Sequence, residues 1–370
     1  MDPLTITLRT LTPLWTGGVE TGKMERIHET GIIGSLRWWY EAIVRGLGGH
    51  ACDPTTHACI YNNTDKPNNG LCDVCQMFGA TGWRRRFSMQ ITAETSPAWK
   101  DDNHPLNIRP YGRIRGWYLQ PGQIGTITIH LTGDLQTRQK LKAAFLFMEK
   151  YGNLGARPQL GYGRFQIIDI KNDPGPYTWE PKGQLELNTL PDLRAFTFFT
   201  LQFQPRQEDW WQRISGIRQL LRYQQGVIAN LVNQYHTLPT TPTLKNHLRF
   251  NQTPDWSPEI GQWLFGTLKG NYRLRSKISL SWAYRQQSWW QIDGWVYLPP
   301  DKLGKTNARE IAQRLQQALH TPQNWLSGLE LGSGSYSQAQ VQIMPADSPW
   351  TAHTPSQITH FLNQTNSGDT

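Results

Sequence analysis

Cysteine is scarce, with four residues in a chain of 370. No apolar run approaches the roughly 18 residues that a membrane-spanning helix needs. The N-terminus, MDPLTITLRTLTPLW, has no basic stretch followed by an apolar one, so no secretory signal is expected. Together these absences point to a reducing, cytoplasmic setting and no membrane partner. In such a setting clustered cysteines are more often metal ligands than disulfides. Negative charge is also in short supply: 28 Asp and Glu stand against 37 Lys and Arg, for a net charge of +9. That balance suits a polyanionic partner, nucleic acid first. No glycine-rich run ends in Lys-Ser/Thr as a nucleotide P-loop does. No recognition-helix signature supports a transcription factor. The paired carboxylates Asp101 and Asp102 sit in a polar loop without metal-like spacing.

Aromatic residues, by contrast, are plentiful. Seventeen Trp among 11% aromatics, interleaved with Arg, could stack on unpaired bases, although most must serve as core. LTITLRTL (4–11) alternates as a strand. Ile33, Leu36, Tyr40, Ile43 and Leu47 form one helical stripe, ended by Gly48 and Gly49. A polar loop follows over about 50–80. A strand then begins near Arg84, with Phe87, Met89, Ile91 and Ala93 on one face and Arg84 and Arg86 on the other. Strands are expected at 123–133 and 164–171, with a helix at 137–152 between them. This order of strand, helix, strand, strand, helix, strand is that of a ferredoxin-like (RRM-like) domain.

Residues 172–194 read as a linker, after which the order repeats. Strands are expected at 194–203, 272–284, 293–299 (DGWVYLP) and 338–344, and helices at 210–232 and 307–320. In the second of these strands Arg273, Arg275 and Lys277 oppose an apolar face, with Lys269 just upstream. MFGATGWRRRF pairs with LFGTLKGNYRLR (264–275) as a weak internal repeat. The expected class is therefore α+β, as tandem ferredoxin-like domains with a cysteine-bearing inserted loop. The first domain spans 1–171, the second 195–346, and 347–370 is a loose polar tail.

All four cysteines fall in that loop, as Cys52, Cys59, Cys72 and Cys75. The second pair has C-x2-C knuckle spacing, suited to a structural Zn²⁺. The first pair is wider, and His50 or His57 could replace a thiolate. A disulfide, or four unbonded thiols, are the alternatives. A polar loop of this size has no core of its own, and a closed four-ligand site would fold it. The metal would then pin the segment leading into Arg84, Arg85 and Arg86. For those arginines the bland alternative is a solvated charge run.

TPLWTGG, ETGIIGSLRWWYEAIVRGLGG, CQMFGATGWRRRF and LGARPQLGYGRF, in that order, resemble the RAMP superfamily. Within it they resemble the first Cmr subunit of type III-B CRISPR effector complexes. The resemblance covers roughly residues 1–170 and implies two ferredoxin-like domains. It also implies a place at one end of a crRNA filament near the guide 3′ end, capture of target single-stranded RNA, and other Cmr subunits as partners. Cleavage in such complexes belongs to another subunit. On this resemblance the glycine-rich loop, with Gly155, Gly161 and Gly163 flanked by Arg157 and Arg164, is expected to approach RNA phosphates. A tight helix-to-strand connection is the alternative. Arg37 and Trp38, off the apolar stripe of the first helix, join the expected RNA contacts, unless Arg37 simply pairs with Glu41. Some RAMP relatives are endoribonucleases that process CRISPR RNA with a histidine base. Here His28 is the candidate, against an ordinary loop histidine.

Overall fold

The computed structural model describes residues 2–20, 22–63, 67–100, 105–183, 186–187, 189–250, 256–269, 272–299, 302–303, 306–344 and 353–366. The first unit begins with β1 (Leu4–Thr10), α1 (Glu29–Gly46), α2 (Asp73–Phe78) and β2 (Ser88–Pro97). A small hairpin follows, β3 (Leu106–Ile108) and β4 (Trp117–Leu119), then β5 (Gln123–Thr132), α3 (Leu135–Tyr151) and β6 (Phe165–Lys171). Its sheet is antiparallel in the order β2-β5-β1-β6, with Ile6 opposite both Ile129 and Ile170. This is the strand order of a ferredoxin-like fold. Alternation makes it so: Leu4, Ile6 and Leu8 are fully buried, while Thr5, Thr7 and Arg9 take the other face.

The second unit comprises β7 (Phe196–Pro205), α4 (Ser215–Asn233), β8 (Thr237–Leu238), α5 (Thr241–Phe250) and α6 (Pro258–Phe265). It continues with β9 (Thr267–Lys269), β10 (Tyr272–Leu274), β11 (Ile278–Leu280), β12 (Ala283–Gln286) and β13 (Trp289–Tyr297). The short pair β14 (Lys302–Leu303) and β15 (Thr306–Asn307), α7 (Ala308–His320), α8 (Pro322–Gly328) and β16 (Tyr336–Met344) complete it. The sheet order β16-β7-β13-β12, with β11 also on β13, repeats the first unit's arrangement. The repeat reaches local detail. Helix α2 ends in Phe78 and Gly79 (φ 89°), and α6 ends in Phe265 and Gly266 (φ 80°). Glycine is required at both stops because the backbone turns left-handed there.

Two expectations are corrected. The strand read over 272–284 is broken into β10, β11 and β12, which places Arg275 and Lys277 in the connection between strands. The polar tail contains α9 (Pro355–Asn366), whose Ile358, Phe361 and Leu362 are buried against the first unit; the Phe361 ring lies 4.9 Å from that of Tyr151. Spacing of three and four is an ordinary amphipathic signal. The tryptophans serve mostly as core, as expected: among the described residues twelve of the chain's seventeen are buried. Trp39 sits where the units meet, in contact with Phe147, Phe196, Phe198 and Trp295. Among the described residues no helix is long and apolar enough to cross a membrane.

Candidate functional site

The cysteine cluster is assembled by α1 and α2. Buried Arg45 of α1 donates to the Ala51 carbonyl and, at 2.9 Å, to that of Cys52, which fixes the start of the inserted loop. Asp73 accepts from the His50 amide at 2.9 Å and pairs with Lys182 at 2.8 Å. Cys72 caps α2, its sulfur accepting from the Cys75 amide at 3.4 Å. The Cys72 amide donates to Cys59 Sγ at 3.3 Å. Cys52 and Cys75 sulfurs lie 3.6 Å apart, and all four thiols are free and within 4.8 Å of one another. Hydrogen bonds from Cys75 hold the Cys72 thiol down to about 4, while Cys75 is pushed up in turn. Cys52 is pushed up to about 11 by burial. Four free thiols at this spacing, met by amide donors, could hold a metal ion. Neither His50 nor His57 belongs to it.

Arg37 attaches to this cluster rather than to solvent. It donates to Glu41 at 2.9 Å and to Cys75 Sγ at 3.3 Å, and its other contact is the Gly79 carbonyl. The intrahelical pairing is the reading that holds, and Glu41 is itself buried between Arg37 and Arg45. Trp38 is likewise not free for a base: its ring packs 4.7 Å from Trp39 and 5.7 Å from Trp295. Arg84, Arg85 and Arg86 precede β2 instead of lying within it. Arg84 and Arg86 are exposed, while Arg85 folds over Phe87 and donates to its carbonyl at 2.8 Å.

The glycine loop is explained by its own packing. Gly155, Gly161 and Gly163 all have positive φ. A Cβ at Gly163 would lie 2.0 Å from the Leu154 carbonyl oxygen, and one at Gly155 2.3 Å from that of Trp15. At Gly161 it would meet Thr241 and Trp282 of the second unit. These glycines let backbone approach backbone, so the loop is the tight connection and not a phosphate cradle. Lys245, fully buried, ties the loop down through the Gln159 carbonyl and the Ser276 hydroxyl. Arg164 is buried and ion-paired with Asp293 at 2.9 Å, which removes it from any RNA surface.

Arg157 is half-buried with φ 62°, its guanidinium 3.9 Å from the Trp15 ring centroid. Burial depresses its pKa. Arg157→Ala is therefore expected to cost stability, about 0.5–2 kcal/mol, through the lost cation–π contact and stem packing. Arg157→Gly should be milder, because glycine relieves the left-handed backbone. Urea midpoints measure both. Equal midpoints for wild type and Arg157→Ala would refute the stacking account.

In the second unit Arg273 and Arg275 are exposed. Lys277 stands 4.5 Å over Trp263. The side chain of Lys269, like Asp101 and Asp102, lies outside the described residues. His28 immediately precedes α1, its Nε2 2.8 Å from Glu25 Oε1. The expected residues thus separate into a cysteine cluster with an adjoining arginine turn, a buried interdomain set, and a remote basic turn.

Sequence reasoning missed a cleft of about 1040 Å³ between the β3–β4 hairpin and α4. Arg109, Arg218, Arg222, Tyr118 and Tyr223 line it. They come from two distant segments with no shared motif, and the only local signal is the i,i+4 arginine pair.

A family model of the RAMP superfamily matches residues 7–166. Among solved structures the chain is similar to Cmr1 from Pyrococcus furiosus in its apo form, with 13% identity over 83% of this chain and 91% of that one and a TM-score of 0.44. It is also similar to a chain in the type III-B Cmr-beta complex bound to cognate target RNA and AMPPnP in the presence of ssDNA. There the identity is 10% over 80% of this chain and 94% of that one, with a TM-score of 0.36. No curated protein matches by sequence.

Proposed function

We propose, from the match of a RAMP superfamily model to residues 7–166, that the chain is a non-catalytic RNA-binding subunit of a type III-B CRISPR ribonucleoprotein. It caps the crRNA filament near the guide 3′ end, helps capture target RNA, and works in the cytoplasm with other Cmr subunits. The observation that carries this reading is the exposed Arg84 and Arg86 on a RAMP domain, one turn beyond a four-cysteine cluster that fixes their lead-in. The cluster holds structural Zn²⁺ through Cys52, Cys59, Cys72 and Cys75. When bound, the metal cross-links the inserted loop, and a site with four protein ligands leaves no open position for catalysis. Arg273 and Arg275 offer a second basic surface.

Phosphate contacts carry no base identity, so binding should be nearly sequence-independent and steeply salt-dependent. Arg84→Ala with Arg86→Ala is expected to flatten the log–log salt slope by about 1.4, two single-strand phosphates' worth. Fluorescence anisotropy across a salt series measures it. A slope unchanged by the double variant would count against this surface.

The second reading is a RAMP-type endoribonuclease that processes CRISPR RNA, favoured by the His28–Glu25 contact at 2.8 Å. Pure protein incubated with repeat RNA in EDTA separates the two. Site-specific cleavage that His28→Ala abolishes would establish the enzyme, and a gel shift without cleavage supports the binding subunit.

A further inference from the structure

The cleft between the β3–β4 hairpin and α4 is built for an anion with faces. Its described walls carry Lys100, Arg109, Arg218 and Arg222 and no Asp or Glu. Arg218 and Arg222 are one turn apart on the exposed side of α4, and neither has an ion-pair partner among the described residues. Like charges at i,i+4 destabilise a helix, so folding alone gives no reason for the pair. The helix dipole does not supply this field, because Glu330 Oε1 already accepts from the Ser215 amide at 2.8 Å. Side chains supply it.

Two further observations narrow the ligand. Tyr118 and Tyr223 line the cleft at 61% and 87% exposure, apolar faces left in water beside cations. Helix α4 is also kinked at Gln224 (φ −135°, ψ 33°), between Tyr223 and Gln225, all three of which line the cleft.

We propose that this cleft seats a short run of unpaired RNA, with phosphates on Arg218, Arg222, Arg109 and Lys100 and bases stacked on Tyr118 and Tyr223. The inference rests on the RNA-binding reading above and assigns it a second, separate site. Exposed aromatics select a single strand because a duplex keeps its bases stacked on one another.

The test uses the full chain, a labelled single-stranded oligouridine, and anisotropy. Arg218→Gln with Arg222→Gln is expected to raise Kd about tenfold or more and to flatten the salt slope by about 1.4. Arg218→Lys with Arg222→Lys should keep most of the affinity. Tyr223→Ala should raise Kd about fivefold or more on oligouridine and leave an abasic oligomer of equal length unaffected. The exposed control Arg206→Gln with Arg285→Gln removes the same charge elsewhere and should bind as wild type. An equal loss in that control would overturn the cleft, as would oligouridine binding unaltered by the α4 variants while Arg84→Ala with Arg86→Ala weakens it. Duplex RNA held as tightly as the single strand would overturn the single-strand assignment. A wild-type chain that binds no RNA in low salt defeats the RNA-binding reading itself, a result distinct from all of these.

Discussion

Purified protein is expected to carry about one zinc per chain, and Cys72→Ser with Cys75→Ser to carry none. Tetrahedral zinc holds sulfurs at about 2.3 Å, which spaces them about 3.8 Å from one another. Cys52 and Cys75 already stand 3.6 Å apart, and the whole set lies within 4.8 Å. The donors around the set favour thiolates: the Cys72 and Cys75 amides and the Arg37 guanidinium all point at sulfur. Losing the metal should be costly, because the energy of binding a structural zinc is folding energy, on the order of 10 kcal/mol in small zinc domains. In this chain the cost falls first on α2. Phe78 packs on Tyr40 and Phe87, so its release loosens the lead-in to β2 where Arg84 and Arg86 stand. The double variant should therefore melt well below wild type and bind RNA more weakly. Metal analysis by ICP-MS, thiol titration and thermal melting with and without chelator measure the three consequences. Zinc-free wild type with four titratable thiols would end the account.

Much of this was legible before the fold was known. Alternation and helical spacing located the four sheet strands and the helices α1 and α3 of the first unit, but not α2 inside the cysteine loop or the β3–β4 hairpin, and proximity in sequence was enough to single out the cysteines. The glycine loop shows where such reasoning stops. A glycine that admits a phosphate and a glycine that admits its own neighbour's carbonyl look alike in sequence. Only the Leu154 oxygen, 2.0 Å from a Cβ at Gly163, decides between them. Arg164 fails for a related reason. It reads as a loop cation, and the carboxylate that claims it lies on the central strand of the other unit. The cleft was invisible because its described walls, at 99–100 and 105–118 on one side and 215–227 on the other, are distant in sequence and meet only in the fold. Helix α9 is different: its apolar spacing was present and was outweighed by the polarity of its surroundings.

That ion pair carries the second large effect. Asp293→Ala is expected to cost about 3–5 kcal/mol, the range for stranding one member of a buried pair. Both residues are buried, with Arg164 Nε 2.9 Å from Asp293 Oδ2. Asp293 accepts from Thr200 at 2.8 Å and Gln291 at 2.9 Å, and the Tyr284 hydroxyl donates to it as well. Burial pushes the Tyr284 pKa well up, so that proton stays in place. Arg164 also donates to the Gly152 carbonyl, at the end of α3. Removing the carboxylate leaves a guanidinium in a desolvated site with too few acceptors. Removing both charges does not, so Arg164→Met with Asp293→Leu should cost much less than the two single losses added together. Urea unfolding of the four proteins supplies the cycle, and singles within about 1 kcal/mol of wild type would show the pair to be incidental. Because Arg164 enters β6 and Asp293 lies on β13, the pair couples the two sheets. Its loss should split one cooperative transition into two, a change visible in the slope of unfolding as well as in its midpoint. The cleft walls belong one to each unit, so a looser lock should also weaken oligouridine binding while the variant is still folded. Unfolding that stays in one step in Asp293→Ala would place the coupling in the aromatic contact of Trp39, Phe196 and Trp295 instead.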